Sequence, residues 1–142
     1  MRTLIGAVLL FAGTLFAQSD VTYISGDKVK AGFEKGGVLL NKGAYQVHTS
    51  RRGEPGKAEV HADDTDVFYI LTGTATLVTG GKTVGASTTG PGEIRGDGIE
   101  DGTSRVVHAG DVIVIPNGTP HWFKEVPGPM TYYTVKVRAC GK

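Results

Sequence analysis

Apolar and polar residues alternate in short runs along most of the chain: "VTYI" at 21–24, "AYQVHTS", "AEVH", "DVFYIL", "TATLV", "SRVVH", "DVIVI", "HWFKEV" and "TYYTVKV". A period of two places successive side chains on opposite faces, so each run predicts a strand. Turn-forming stretches punctuate them, among them "RRGEPGK", "PNGTP" and "PGPM". Thr72-Gly73 between "DVFYIL" and "TATLV" predicts a hairpin. No segment keeps an apolar period of 3.6 between helix caps, so little helix is expected. Many short strands at this spacing predict an all-β sandwich or barrel. Residues 80–104, "GGKTVGASTTGPGEIRGDGIEDGTS", hold eight glycines and little strand pattern. They read as a long loop carrying Glu93 and Arg95, either a surface excursion or a lid over a pocket.

Length narrows this to one domain, since 142 residues that are 39% hydrophobic fill a single core. A net charge of +1, with no basic cluster beyond Arg51 and Arg52, argues against nucleic acid as a partner. The N-terminal stretch has a basic Arg2, an apolar run from Leu4 to Phe16 and the small Ala17 before "QSD". It reads as a secretory signal over residues 1–17, shorter than the roughly 20 apolar residues of a membrane span. Cleavage after Ala17 leaves a mature chain with 14 basic and 14 acidic residues, a single domain over 22–138 and no stable membrane anchor. A periplasmic or secreted location is the resulting expectation. Cys140 is the lone cysteine, so no internal disulfide forms.

Candidate chemistry gathers in two stretches. Glu59 and His61 share one strand face, and Asp66 shares the face of Phe68 and Ile70, at the lip of the predicted core. The turn around Pro116, Asn117, Gly118 and Pro120 delivers His121 at a strand start, with Phe123 and Glu125 on its face. Asp63 and Asp64 read as turn-capping residues, and His48 and His108 as structural or surface histidines.

At these stretches the sequence resembles the cupin superfamily, whose motifs read G(x)5HxH(x)4E(x)6G and G(x)5PxG(x)2H(x)3N. Gly53, Glu59, His61, Asp66 and Gly73 reproduce the first spacing, with Glu59 at the first histidine position and Asp66 at the glutamate position. Gly110, Pro116, Gly118 and His121 reproduce the second, with Glu125 in place of asparagine. The resemblance implies a double-stranded β-helix, or jelly-roll barrel, holding a divalent metal through Glu59, His61, Asp66 and His121. Aspartate is one methylene shorter than glutamate, so Asp66 either reaches the ion or orients an imidazole beside it. Two carboxylates favour manganese or iron(II), with zinc, nickel and cobalt also compatible.

Cupins host dioxygenases, isomerases, lyases and plain binding domains, so the fold does not select a reaction. One reading is an oxygenase-like, metal-dependent enzyme acting on a small organic molecule, with Glu125, Glu93 and Arg95 as proton-transfer or anchoring groups. A second is a non-catalytic metal- or ligand-binding domain, and a third is a metal-free hydrogen-bonded network. The family resemblance also implies a homodimer through the sheets.

Overall fold

Except for "VTYI", the period-two runs become strands of two facing antiparallel sheets. The computed structural model describes residues 21–139, so the N-terminal run read as a signal and Cys140 lie outside the described residues. One sheet orders β1 (Gly37–Asn41), β2 (Tyr45–Arg52), β13 (Met130–Arg138), β4 (Asp64–Thr72) and β11 (Val112–Ile115). The other orders β10 (Thr103–His108), β5 (Thr74–Thr79), β12 (His121–Glu125), β3 (Ala58–His61), β8 (Glu93–Gly96) and β7 (Ser87–Gly90). A separate ribbon pairs β6 (Lys82–Val84) with β9 (Gly98–Glu100).

Inward positions of both sheets meet in one core of Phe68, Ile70, Ala75, Leu77, Val107, Ile115, Phe123, Val126, Met130 and Tyr132. Burying each of the larger side chains stabilises the fold by about 1.5–3 kcal/mol. The inward positions of β4 run Asp64, Asp66, Phe68, Ile70. The same strand face is therefore hydrocarbon at one end and acidic at the other, and the polar end is where the site forms.

Four sequence expectations need correction. The expected hairpin at Thr72-Gly73 is instead a crossing between sheets, because β4 pairs with β13 and β11 while β5 pairs with β10 and β12. Ile70 and Ala75 both enter the core although an odd number of residues apart, which a continuous strand could not do. The "loop" at 80–104 contains β6, β7, β8, β9 and the start of β10. β6 to β9 are three or four residues long, with β6 and β7 largely exposed and β8 and β9 mostly half-buried, so they lack the apolar alternation that betrays a strand. "VTYI" forms no strand, with Val21 and Tyr23 exposed, and the chain turns instead into the helix α1 (Gly26–Lys35). Asp27 and Lys35 complement its dipole, and Phe33 packs edge-on against Tyr133 with ring centroids 5.1 Å apart. Its apolar stripe, chiefly Val29 and Phe33, is narrow enough to escape a periodicity test.

Fourth, Asp64 is no turn cap: it opens β4, is buried, and takes hydrogen bonds from Arg138 Nε at 3.1 Å and Nη2 at 3.3 Å. Those hydrogen bonds, against a smaller opposing effect of burial, hold its carboxyl below the ordinary range. A carboxyl with a depressed folded pKa stabilises the protein above its unfolded pKa of about 4, and the contribution fades as pH falls through the folded value. Asp64→Asn is therefore expected to lower the melting temperature by a constant amount above about pH 5, the gap narrowing below about pH 4. Thermal melts from pH 3 to 7 test this; a gap that widens toward acid would contradict it.

Candidate metal centre

Three strands and one turn assemble the polar end. His121 pairs across strands with Glu59. In the turn before β12, Thr119 N–H donates to Pro116 O at 3.1 Å. Gly118 N–H donates to His61 O at 2.7 Å, and Asn117 Nδ2 to Ala62 O at 3.0 Å. The turn is thus pinned to the end of β3, which sets the rings of His61 and His121 with centroids 5.2 Å apart.

Each ring is oriented through its far nitrogen. His61 Nδ1 lies 2.9 Å from both carboxylate oxygens of Glu93, and His121 Nδ1 donates to Thr119 O at 3.1 Å. With Nδ1 as donor, Nε2 of each ring presents a lone pair when the ring is neutral. Both Nε2 atoms are buried and have no hydrogen-bond partner among the described residues. His61 Nε2 stands 3.4 Å from Glu59 Oε2 and 3.4 Å from Asp66 Oδ2, and His121 Nε2 stands 4.0 and 3.9 Å from the same two oxygens. Donors held about 2.0–2.2 Å from one ion sit roughly 3–4 Å from each other, so this set fits a divalent metal. Glu59, His61 and His121 each bring a ligand atom within 4.8 Å of the other two. Asp66 sends its other oxygen to Lys136 Nζ at 2.9 Å.

Electrostatics acts differently on each member of the set. Burial would raise the Glu59 pKa, but His61, Arg95 and His121 outweigh it and bring the carboxyl down to about 2. Burial lowers His121, favouring the neutral ring that binds metal. Burial works the same way on His61, but Glu59, Asp66 and Glu93 around the ring overcome it and raise its pKa. Glu93 is a carboxylate on the outer nitrogen of a candidate ligand, an arrangement that raises ligand basicity. Glu93→Ala is expected to weaken metal binding by roughly 10–100-fold, read by calorimetric titration. Unchanged affinity would show that the Glu93 contact does not tune the ring.

The site forms one wall of a cavity of about 290 Å³ that Phe68, Trp122, Phe123, Tyr132, Arg95 and Lys136 also line. Arg95 binds Glu93 at 3.0 Å and approaches Glu59 at 3.7 Å. The structure does not bring Glu125 here. Phe123 pairs with Leu77 but Glu125 with Thr76, so a bulge inserts one residue and turns Glu125 outward, where it accepts a hydrogen bond from Thr76 Oγ1 at 2.8 Å. His48 lines the cavity with Nε2 2.9 Å from Gln46 Oε1, and His108 lies exposed near Asp111. Lys136 went unremarked in the sequence. Extending the alternation of Tyr132 and Thr134 by two residues places it on the inward face.

The family model described as Cupin matches residues 43–136, and the chain belongs to that family. The fold is similar to the structure of BH2720 from Bacillus halodurans, at 15% identity and TM-score 0.60, over 84% of this chain and 83% of that one. KdgF from Halomonas aligns at 13% identity and TM-score 0.53, over 74% and 80% of the two chains. The cupin domain of Cnp3 from Schizosaccharomyces pombe aligns at 10% identity and TM-score 0.54, over 73% of this chain and 60% of that one. No curated protein matches the sequence.

Proposed function

We propose that this cupin binds manganese or iron(II), in preference to zinc, nickel or cobalt, and uses the ion in an oxygenase-like reaction on a small organic molecule. The observation that carries the reading is the pair of buried, unpartnered Nε2 atoms converging with the Glu59 carboxylate on the wall of a ligand-sized cavity. The mixed carboxylate and imidazole donors support the harder metals. When bound, the ion would act as a Lewis acid toward an oxygen of the substrate. The protein's own groups divide the remaining work. Glu93 and Thr119 fix the imidazoles, Lys136 holds Asp66 beside them, and Phe68, Trp122 and Phe123 keep bulk water from the inner wall. Arg95, half-buried between Glu93 and Glu59, is the cation beside the bound molecule.

Metal analysis of the mature, untagged protein tests the reading, followed by water-proton relaxation of the manganese-loaded form. One ion per chain with an exchanging water is expected. Absence of stoichiometric metal would overturn the metal assignment, and an ion with no exchangeable water would favour a non-catalytic binding domain. Export by the N-terminal run and a homodimer complete the proposal. Exposed Tyr69, Val112 and Val114 on the outer side of β4 and β11 support the second.

A further inference from the structure

Arg52 is the cation of the cavity wall that no carboxylate holds among the described residues. Lys136 is held by Asp66 at 2.9 Å, Arg95 by Glu93 at 3.0 Å and Lys57 by Asp97 at 2.6 Å. Arg52 forms no ion pair among the described residues, and its buried Nε has no hydrogen-bond partner. Its guanidinium lies over the Phe123 ring, 5.2 Å from the centroid. Arg presents a planar fork suited to a carboxylate.

Its neighbours add to the case. Ser50 and Tyr132 line the same cavity and pair across β2 and β13. Burial raises the pKa of the Tyr132 hydroxyl, which stays a donor at neutral pH. Leaving aside Lys57 with its Asp97, the wall carries three carboxylates, Glu59, Asp66 and Glu93, and three cations, Arg52, Arg95 and Lys136. A divalent ion then leaves the cavity with two positive charges in excess, which favours an anionic occupant.

We infer that Arg52, Tyr132 and Ser50 form a carboxylate-binding end of this cavity, and that its ligand is a small organic acid whose second oxygen function reaches the metal cluster. The inference rests on the metal-binding reading above. His121 and Phe123 are same-face neighbours on β12, separated by about 7 Å. Arg52 sits over Phe123 and His121 belongs to the cluster, so two to four carbons between the oxygen functions span the distance. The cavity volume of about 290 Å³ suits a molecule of that size.

Succinate is a suitable probe, and 1,4-butanediol is its neutral counterpart of equal length. Trp122, the only tryptophan of the chain, lines the cavity and reports binding by fluorescence. Metal-loaded wild type is expected to bind succinate at least about tenfold more tightly than the diol. Arg52→Met is expected to lose about tenfold or more of the succinate affinity, and Arg52→Lys to keep part of it. Gly56→Ala leaves the charge in place but drives a Cβ into Arg52 Nη1, and is expected to weaken succinate binding as well. Thermal melts establish that each variant is folded. Equal succinate affinity in folded Arg52→Met and wild type, or equal affinity for succinate and the diol, would overturn the inference. Failure of the wild type to take up metal would instead overturn the metal reading. The titration is therefore repeated without metal, where Arg52-dependent binding of succinate still supports the anion site and its absence removes it.

Discussion

Alanine at His121 or His61 is expected to abolish stoichiometric metal binding, a larger loss than the roughly 10–100-fold of a residue that only orients a ligand. Each ring contributes a buried nitrogen without a hydrogen-bond partner among the described residues, and both are already aimed by Glu93 or Thr119. A ligand that binds only the folded state stabilises it by about 2.7 kcal/mol at a hundredfold excess over its Kd. Wild type should therefore gain melting temperature on addition of manganese, and the two variants should not. His108→Ala is the control, because that ring is exposed and remote in sequence from the cluster. Asp66→Asn is expected to weaken the metal too, since Oδ2 lies 3.4 Å from His61 Nε2 while Lys136 holds the other oxygen. Retained stoichiometric binding in His121→Ala would remove that ring from the ligand set.

The barrel and the cluster of candidate metal ligands were legible for one physical reason: their strands have an inside and an outside. β2, β3, β4, β12 and β13 each put alternate side chains into a core or cavity, and that demand writes a period of two into the sequence. The spacing of Gly53, Glu59, His61, Asp66 and Gly73, and of Gly110 through His121, then placed the chemistry on that frame. What stayed hidden has no such signature. β6, β7 and β9 are short and held by backbone hydrogen bonds without buried side chains, so residues 80–104 looked like loop. Consequently the pairing of β8 with β3, which sets Glu93 opposite His61, could not be read. Glu125 was misplaced by a bulge of one residue, which reverses the face without changing the composition. Arg52 followed His48 and Ser50 at period two, but a charged residue near a turn reads as solvated until its partners are counted.

Alanine at Gly73 is expected to cost the protein about 2–5 kcal/mol, by two separable effects. Its φ of +82° lies in the left-handed region, which penalises a side chain by roughly 1–2 kcal/mol. A Cβ there would also stand 2.7 Å from both Pro129 O and Met130 Cβ and 2.9 Å from Met130 Cα, and two of these atoms are backbone that cannot swing aside. Overpacking of that kind adds roughly 1–3 kcal/mol. Gly110 separates the two effects, since its φ of +95° carries the conformational penalty while nothing lies within 4 Å of its Cβ position. Gly110→Ala should therefore lower the melting temperature by a few degrees and Gly73→Ala by about 10–20 °C. Gly26→Ala, in a helix with open space around the added carbon, should leave it unchanged or slightly raised. Equal losses at Gly73 and Gly110 would mean that the crossing between sheets tolerates a side chain. The larger loss at Gly73 would identify this motif glycine as the point where the chain leaves the Asp66 sheet for the His121 sheet, and so brings the candidate metal ligands to face one another.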